Sequence, residues 1–69
     1  MKTRYDEATD SLYVEVRTLP ARRTVEIEPD ILLDLGEDGR PVGYDIQHAS
    51  GKAAFIARLI LKTEDAAAE

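Results

Sequence analysis

His48 is the residue of this chain with the widest chemical range, because it is the only histidine and an imidazole titrates near neutral pH. Asp45 and Ser50 lie within three residues of it, and they supply the acid and the hydroxyl that a nucleophilic triad requires. Such a triad also needs its acid to orient the base, and it needs an oxyanion hole. Strand alternation points Asp45 away from the side of Ile46, and no residue pattern places it against His48.

Ser50 has a simpler interpretation, because serine is a preferred helix N-cap and helical spacing follows it. A loop histidine followed by a capping serine accounts for the pair without catalysis. His48 and Ser50 stay candidates for a small-ligand site. A ligand-binding protein or minor enzyme that uses the Asp45, His48 and Ser50 loop is therefore the alternative function.

The acidic residues Asp6, Glu7 and Asp10 share one turn and offer the oxygen ligands that hard cations prefer. The spacing of an EF-hand loop is absent, however, and aspartates bond nearby backbone N–H groups in ordinary turns. Asp38-Gly39 is typical of a hairpin turn, because glycine readily adopts the positive φ that such a turn requires. We therefore expect turn chemistry at both places, with no metal site, no cofactor and no catalytic residue.

Hydrophobic alternation defines the elements that must position these groups. Period-two patterning predicts strands at residues 2–5, 11–17, 24–28, 31–35 and 41–47, and helical spacing follows from Lys52 to about Lys62. The pattern predicts an α+β fold, in which a small curved antiparallel β-sheet of about four to five strands carries one C-terminal α-helix on its apolar face. Residues 1–69 are expected to form this single domain, with a frayed, acidic and alanine-rich end at residues 63–69.

The polar face of the predicted sheet is the candidate surface for a protein partner. An exposed strand tyrosine can anchor a partner, although cross-strand packing explains such a residue equally well. Carboxylates on a sheet face suit a basic partner, although most charged faces are simply solvated. Alternation also places Arg17, Asp34 and Gln47 on this face, and the candidate contacts on it are Tyr13, Glu15, Glu26, Glu28 and Asp45.

Length and charge restrict the class of protein. A chain of 69 residues buries a smaller fraction of its surface than a large domain does, and without cysteine it has no disulfides to compensate. We therefore expect a homodimer, formed through apolar sheet surface that the helix leaves uncovered or through Leu61 on the back of the helix. The net charge of −5 argues against nucleic acid as a partner. Because the sequence contains neither a signal core nor a long apolar run, we expect a cytoplasmic protein that does not enter membranes.

Two motifs carry a family resemblance. The first is Tyr5-Asp6 followed by Asp10-Ser11-Leu12-Tyr13-Val14, and the second is Asp38-Gly39, then Val42-Gly43-Tyr44-Asp45-Ile46, then Ala49-Ser50. Over roughly residues 4–50 the chain resembles domain-of-unknown-function family 2283, a family of small prokaryotic proteins.

The resemblance implies a compact β-sheet-plus-helix domain without assigned catalysis, with an acidic residue at the position of Asp45. Some members of the family are thought to be encoded beside small toxins that resemble ribonucleases, which implies an antitoxin-like role. The interpretation we take forward is a small acidic non-enzymatic protein. It would interact with a basic protein partner such as a toxin.

Overall fold

The computed structural model describes the backbone of residues 1–68 and the side chains of residues 1–62. Its elements are β1 (Lys2–Asp6), β2 (Ser11–Glu15), β3 (Arg23–Glu28), β4 (Ile31–Leu35), β5 (Pro41–Gln47), a 3-10 turn (Ala49–Gly51) and α1 (Ala53–Ala68). The strands form one open antiparallel sheet in the order β1-β2-β5-β4-β3. The α+β prediction is thus confirmed. The expectation of a frayed end at residues 63–69 stays a prediction, because the side chains of these residues, and Glu69 as a whole, lie outside the described part.

The core lies between α1 and one face of the sheet, which we call the inner face. Val14, Ile31 and Ile46 come from β2, β4 and β5 and are fully buried there, beneath Leu59 of α1. Ile46 is the cross-strand neighbour of Ile31, so the two side chains share this face. Other apolar side chains pack around this cluster at partial burial: Leu12, Tyr44, Phe55 and Ile56. Strand alternation and helical spacing had predicted this arrangement from the sequence.

A β-bulge in β3 changes the face on which Glu28 lies. Glu26 is in register with Leu32, whereas Glu28 is already in register with Ile31, so Ile27 is an extra residue between them. An extra residue shifts the alternation that follows it by one position. The prediction that Glu28 belongs to the polar face with Glu26 is therefore wrong. Glu28 lies on the inner-face side, next to α1.

A second irregularity follows β2, which ends at Glu15 and not at Arg17 as predicted. The backbone N–H groups of Val16 and Arg17 both donate to the carbonyl of Val42, at 2.8 and 3.1 Å. This arrangement turns the Arg17 side chain toward the β4–β5 hairpin. Its guanidinium forms two hydrogen bonds of 2.9 Å with the carboxylate of Asp38. Arg17 also donates to the carbonyls of Arg40 and Pro41, so one side chain joins the end of β2 to the hairpin.

The Arg17–Asp38 pair predicts a loss of stability in acid. The hydrogen bond from Arg17, and then that from the backbone N–H of Arg40, hold the pKa of Asp38 well below its ordinary value. A lowered folded-state pKa contributes stability that is complete above the unfolded-state pKa of about 4 and is lost as the pH falls through the folded-state pKa. We expect Asp38→Asn to lower the melting temperature at neutral pH. The deficit should shrink as the pH falls below about 4.

Thermal melts of the wild type and of Asp38→Asn at a series of pH values measure this difference. Glu37→Gln is the matched control, because Glu37 is the exposed neighbour of Asp38 in the same turn and has no ion pair with another described residue. We expect the control to follow the wild type at every pH. A deficit of Asp38→Asn that stayed constant down to strong acid would contradict the role of the ion pair.

Candidate functional site

Tyr13 is the centre of the polar face of the sheet, which we call the outer face. Its ring lies over Gly43 on the neighbouring strand, and a Cβ atom at Gly43 would stand only 2.6 Å from the Tyr13 Cζ. The Tyr13 hydroxyl crosses β5 and donates to Asp34 of β4 at 2.8 Å. The Arg4 guanidinium lies 5.9 Å from the ring centroid, within cation–π range. Tyr13 is therefore fixed across three strands and does not project freely into solvent.

The electrostatics around Tyr13 keep its hydroxyl protonated. Burial first, then the hydrogen bond to Asp34, raises the pKa of Tyr13 to about 12. The negative charges of Asp34, Glu15 and Asp45 act in the same direction. The tyrosine is therefore a permanent donor at physiological pH, and its ring is a rigid platform among carboxylates.

Four carboxylates lie on the outer face. One of them accepts hydrogen bonds from other side chains, and the other three, which we call open, form no ion pair with a described residue. Asp34 accepts hydrogen bonds from Tyr13 and, at 2.7 Å, from the Thr24 hydroxyl. Glu15, Glu26 and Asp45 form no ion pair with any residue whose side chain the structure describes. Cross-strand register places Asp45 beside Tyr13 and Glu15 beside Gly43. The result is a fixed aromatic ring with the Arg4 cation on its β1 side and open carboxylates on its β5 side.

Leu32 continues this surface toward the edge of the sheet. It is in register with Asp45 on one side and with Glu26 on the other, and it is partly exposed. The outer face thus joins four of the predicted partner-binding residues: Tyr13, Glu15, Glu26 and Asp45. Alternation placed Asp34 on this face, but sequence reasoning did not identify its hydrogen bond to Tyr13 or the contact of Arg4 with the ring. The available signal was Gly43, whose missing side chain leaves the space that the Tyr13 ring fills.

A second cluster lies at the end of the sheet where β5 leads into α1. The carboxylate of Asp10 accepts hydrogen bonds from the Ser50 hydroxyl at 2.7 Å and from the Ser50 backbone N–H at 3.1 Å. The Tyr5 hydroxyl donates to the same carboxylate at 2.6 Å, and the Asp10 carbonyl accepts from the Ala49 N–H. The hydrogen bonds from Ser50 and then from Tyr5 lower the pKa of Asp10. Asp10 therefore connects the β1–β2 turn to the start of the helical segment.

The predicted role of Ser50 as the helix cap is wrong. Ser50 lies inside the 3-10 turn, and α1 begins only at Ala53. The Ser50 hydroxyl points to Asp10 instead, so its proton is directed to a carboxylate and not to His48. The two residues are forty positions apart in the sequence, and local sequence patterns cannot predict a contact over that separation.

His48 occupies a separate position in this cluster. Its Nδ1 atom lies 3.0 Å from the carboxylate of Asp30, and three quarters of its side chain is exposed. Asp10, Asp30 and His48 all have positive φ, with values of 52°, 68° and 54°. Aspartate tolerates this conformation through local hydrogen bonding, and each of the three lies at the end of a strand. The strain therefore marks three chain reversals at one end of the sheet.

The structure does not bring Asp45, His48 and Ser50 into one constellation. Asp45 lies on the outer face beside Tyr13, Ser50 is bonded to Asp10, and His48 is paired with Asp30. Five shallow concavities on the described surface are lined by residues that include neither His48 nor Ser50. Among the described residues, no three histidine or acidic side chains converge as metal ligands. The contacts observed at this end are structural hydrogen bonds and the pairing of His48 with Asp30.

The comparisons with known proteins concern the sheet. The model of the family described as "Protein of unknown function (DUF2283)" matches residues 2–50. The match contains all five strands and both clusters described above, and it ends before α1 begins. No curated protein and no solved structure matches the chain. Among the described residues, no helix is long and apolar enough to cross a membrane.

Proposed function

The chain belongs to the DUF2283 family of proteins of unknown function, and we propose that this member is a non-enzymatic protein-interaction module of the cytoplasm. Its outer face binds a basic protein partner. The observation that carries the proposal is the set of open carboxylates around a fixed aromatic ring. A rigid tyrosine contributes contact area without losing conformational freedom, and such residues are enriched among interface hot spots.

The charge of the chain supports a basic partner. The net charge is −5, and Glu15, Glu26 and Asp45 form no ion pair with a residue whose side chain is described. Complementary potentials accelerate encounter and exclude partners of the same sign. Lys2 and Arg4 lie on the edge strand β1, so the acidic part of the face is the part over β2, β5, β4 and β3. A basic patch would dock there.

The finer form of the proposal is an antitoxin-like role. A ribonuclease-like toxin must hold RNA phosphates with clustered cations. An acidic face of fixed geometry can occupy such a cluster in place of the RNA. The support for this form is the resemblance noted above together with the charge of the outer face. The family assignment itself names no partner.

Co-expression with the product of the neighbouring gene tests the proposal. We expect the two proteins to co-purify at low salt and to separate at high salt, because exposed charge pairs are screened. Expression of the neighbour alone should arrest growth, and co-expression of this chain should restore it. Absence of both co-purification and growth rescue would refute the antitoxin form.

Two charge-matched variants show whether the partner binds through the outer face. Glu15→Gln/Asp45→Asn removes two carboxylates beside Tyr13, whereas Glu7→Gln/Glu37→Gln removes two from exposed turns. Both raise the net charge by the same amount. We expect only the first to abolish co-purification. An equal loss of co-purification in both variants would mean that the interaction depends only on net charge, and it would contradict binding through a specific surface.

A further inference from the structure

The inner face contains a groove that the core does not fill. It lies between the edge strand β3 and α1 and has a volume of about 300 Å³. Its apolar part includes Ile27, which is 42% exposed, and the rings of Tyr44 and Phe55. These two rings meet edge to face at 6.3 Å. The groove therefore has a preformed aromatic floor and an exposed aliphatic rim.

Half-buried residues extend the groove along the sheet. Leu33 is in register with Tyr44, and Val25 is in register with Leu33, so all three share the inner face. Val25 and Leu33 are only partly buried and lie outside the cluster that packs beneath α1. Exposed apolar surface of this kind, contiguous across several elements, commonly marks a contact with another protein.

The two walls of the groove carry opposite charge. Glu28 stands on the β3 wall, where the bulge has turned it, and Arg58 and Lys62 stand on the α1 wall. None of the three forms an ion pair with another residue whose side chain is described. As far as the described side chains extend, both walls carry charges with which groups from outside can pair.

We propose that this groove binds a second copy of the chain, in a two-fold symmetric dimer whose axis runs along the groove. Such an axis places the β3 wall of each copy against the α1 wall of the other, so each Glu28 faces the partner's Arg58 and Lys62. An isologous interface must be complementary to itself, and a groove with one acidic and one basic wall meets that condition. Ile27 of each copy then covers the partner's aromatic floor.

This dimer is independent of the outer face, which stays open on both copies. The bulge at Ile27 has a role in the arrangement, because without it Glu28 would lie on the outer face and the β3 wall would lose its charge. Leu61 is the alternative dimer contact. It is 63% exposed but lies on the opposite side of α1 from the core residues Phe55 and Leu59.

Sedimentation equilibrium over a range up to high micromolar concentration tests the dimer. We expect the wild type to dimerise and Ile27→Asp to weaken the dimer by about tenfold or more, because a buried carboxylate without a partner is costly. Leu61→Asp is the matched control and should dimerise like the wild type. A monomeric wild type, or a dimer broken by Leu61→Asp and not by Ile27→Asp, would overturn the proposal.

A charge exchange provides a second test that does not depend on how Ile27→Asp folds. Glu28→Arg should weaken the dimer because it places like charges on facing walls. Arg58→Glu should do the same, and the double variant Glu28→Arg/Arg58→Glu should recover most of the lost affinity, because it exchanges the charges between the walls. Additive losses in the double variant would refute the two-fold arrangement. Binding of the basic partner, measured on dilute protein, should be the same in all of these variants.

Discussion

Gly43→Ala is expected to destabilise the protein by about 1–3 kcal/mol, the range for overpacking a well-filled site. A methyl group at this position would overlap the Tyr13 hydroxyl and lie 2.6 Å from Cζ of the ring. The ring must then move, and its hydrogen bond to Asp34 is strained or lost. Chemical denaturation of the two proteins measures the difference in unfolding free energy.

Gly51→Ala is the matched control for this substitution. A Cβ atom at Gly51 would have no heavy atom within 4 Å, and its φ is outside the positive range that side chains avoid. We expect its unfolding free energy to stay within about 0.5 kcal/mol of the wild type, as for most surface changes. In a Tyr13→Ala background, Gly43→Ala should cost much less. An equal cost in both backgrounds would contradict the packing of Tyr13 on Gly43.

Ile46→Ala is expected to cost about 2–5 kcal/mol, the range for truncating a large aliphatic residue in a core. Ile46 is fully buried, in register with both Leu12 and Ile31, beneath α1. A domain of 69 residues has a total stability of roughly 3–10 kcal/mol. The substitution can therefore remove most of the stability of the domain, and a large unfolded fraction should be visible at physiological temperature.

Leu61→Ala is the matched control for the core substitution, since Leu61 is 63% exposed on the far side of α1. We expect it to change the unfolding free energy by no more than about 0.5 kcal/mol. Circular dichroism during thermal and denaturant unfolding compares the two. Similar losses of unfolding free energy in Ile46→Ala and Leu61→Ala would contradict the burial of Ile46 and the exposure of Leu61.

Much of the fold could be predicted from the sequence because hydrophobic alternation is a local signal. It placed Val14, Ile31 and Ile46 on one face and Tyr13 and Asp45 on the other, and the structure agrees. The bulges could not be predicted in this way. An inserted residue such as Ile27 leaves the composition of a strand unchanged and is defined only by the register of its neighbour.

The long-range hydrogen bonds were also beyond sequence reasoning. Asp10 has a sufficient local role as a turn residue, and Ser50 has one as a helix cap, so neither requires a partner forty residues away. Gly43 and Tyr13 form a similar pair across two strands, and in the sequence the glycine indicates only a gap on the outer face. Such contacts depend on which strands are neighbours, and alternation does not specify strand order.

The displacement of Glu28 changes the functional interpretation. With Glu28 on the outer face, one surface would have carried all five predicted contacts. Its position in the groove separates an acidic outer face from a groove of mixed charge, and so separates the proposed binding of a basic partner from the proposed self-association.

The most direct test of the outer face uses methyl resonances that report on one surface each. Leu32 lies on the outer face beside Asp45, whereas Ile27 lies in the groove and Leu61 on the back of α1. The measurement is a titration of methyl-labelled chain with the product of the neighbouring gene, the proposed basic partner, followed by NMR. We predict that the Leu32 methyl and Tyr13 ring signals shift, while those of Leu61 do not. Shifts confined to Ile27 and Phe55, with Leu32 unchanged, would contradict the account.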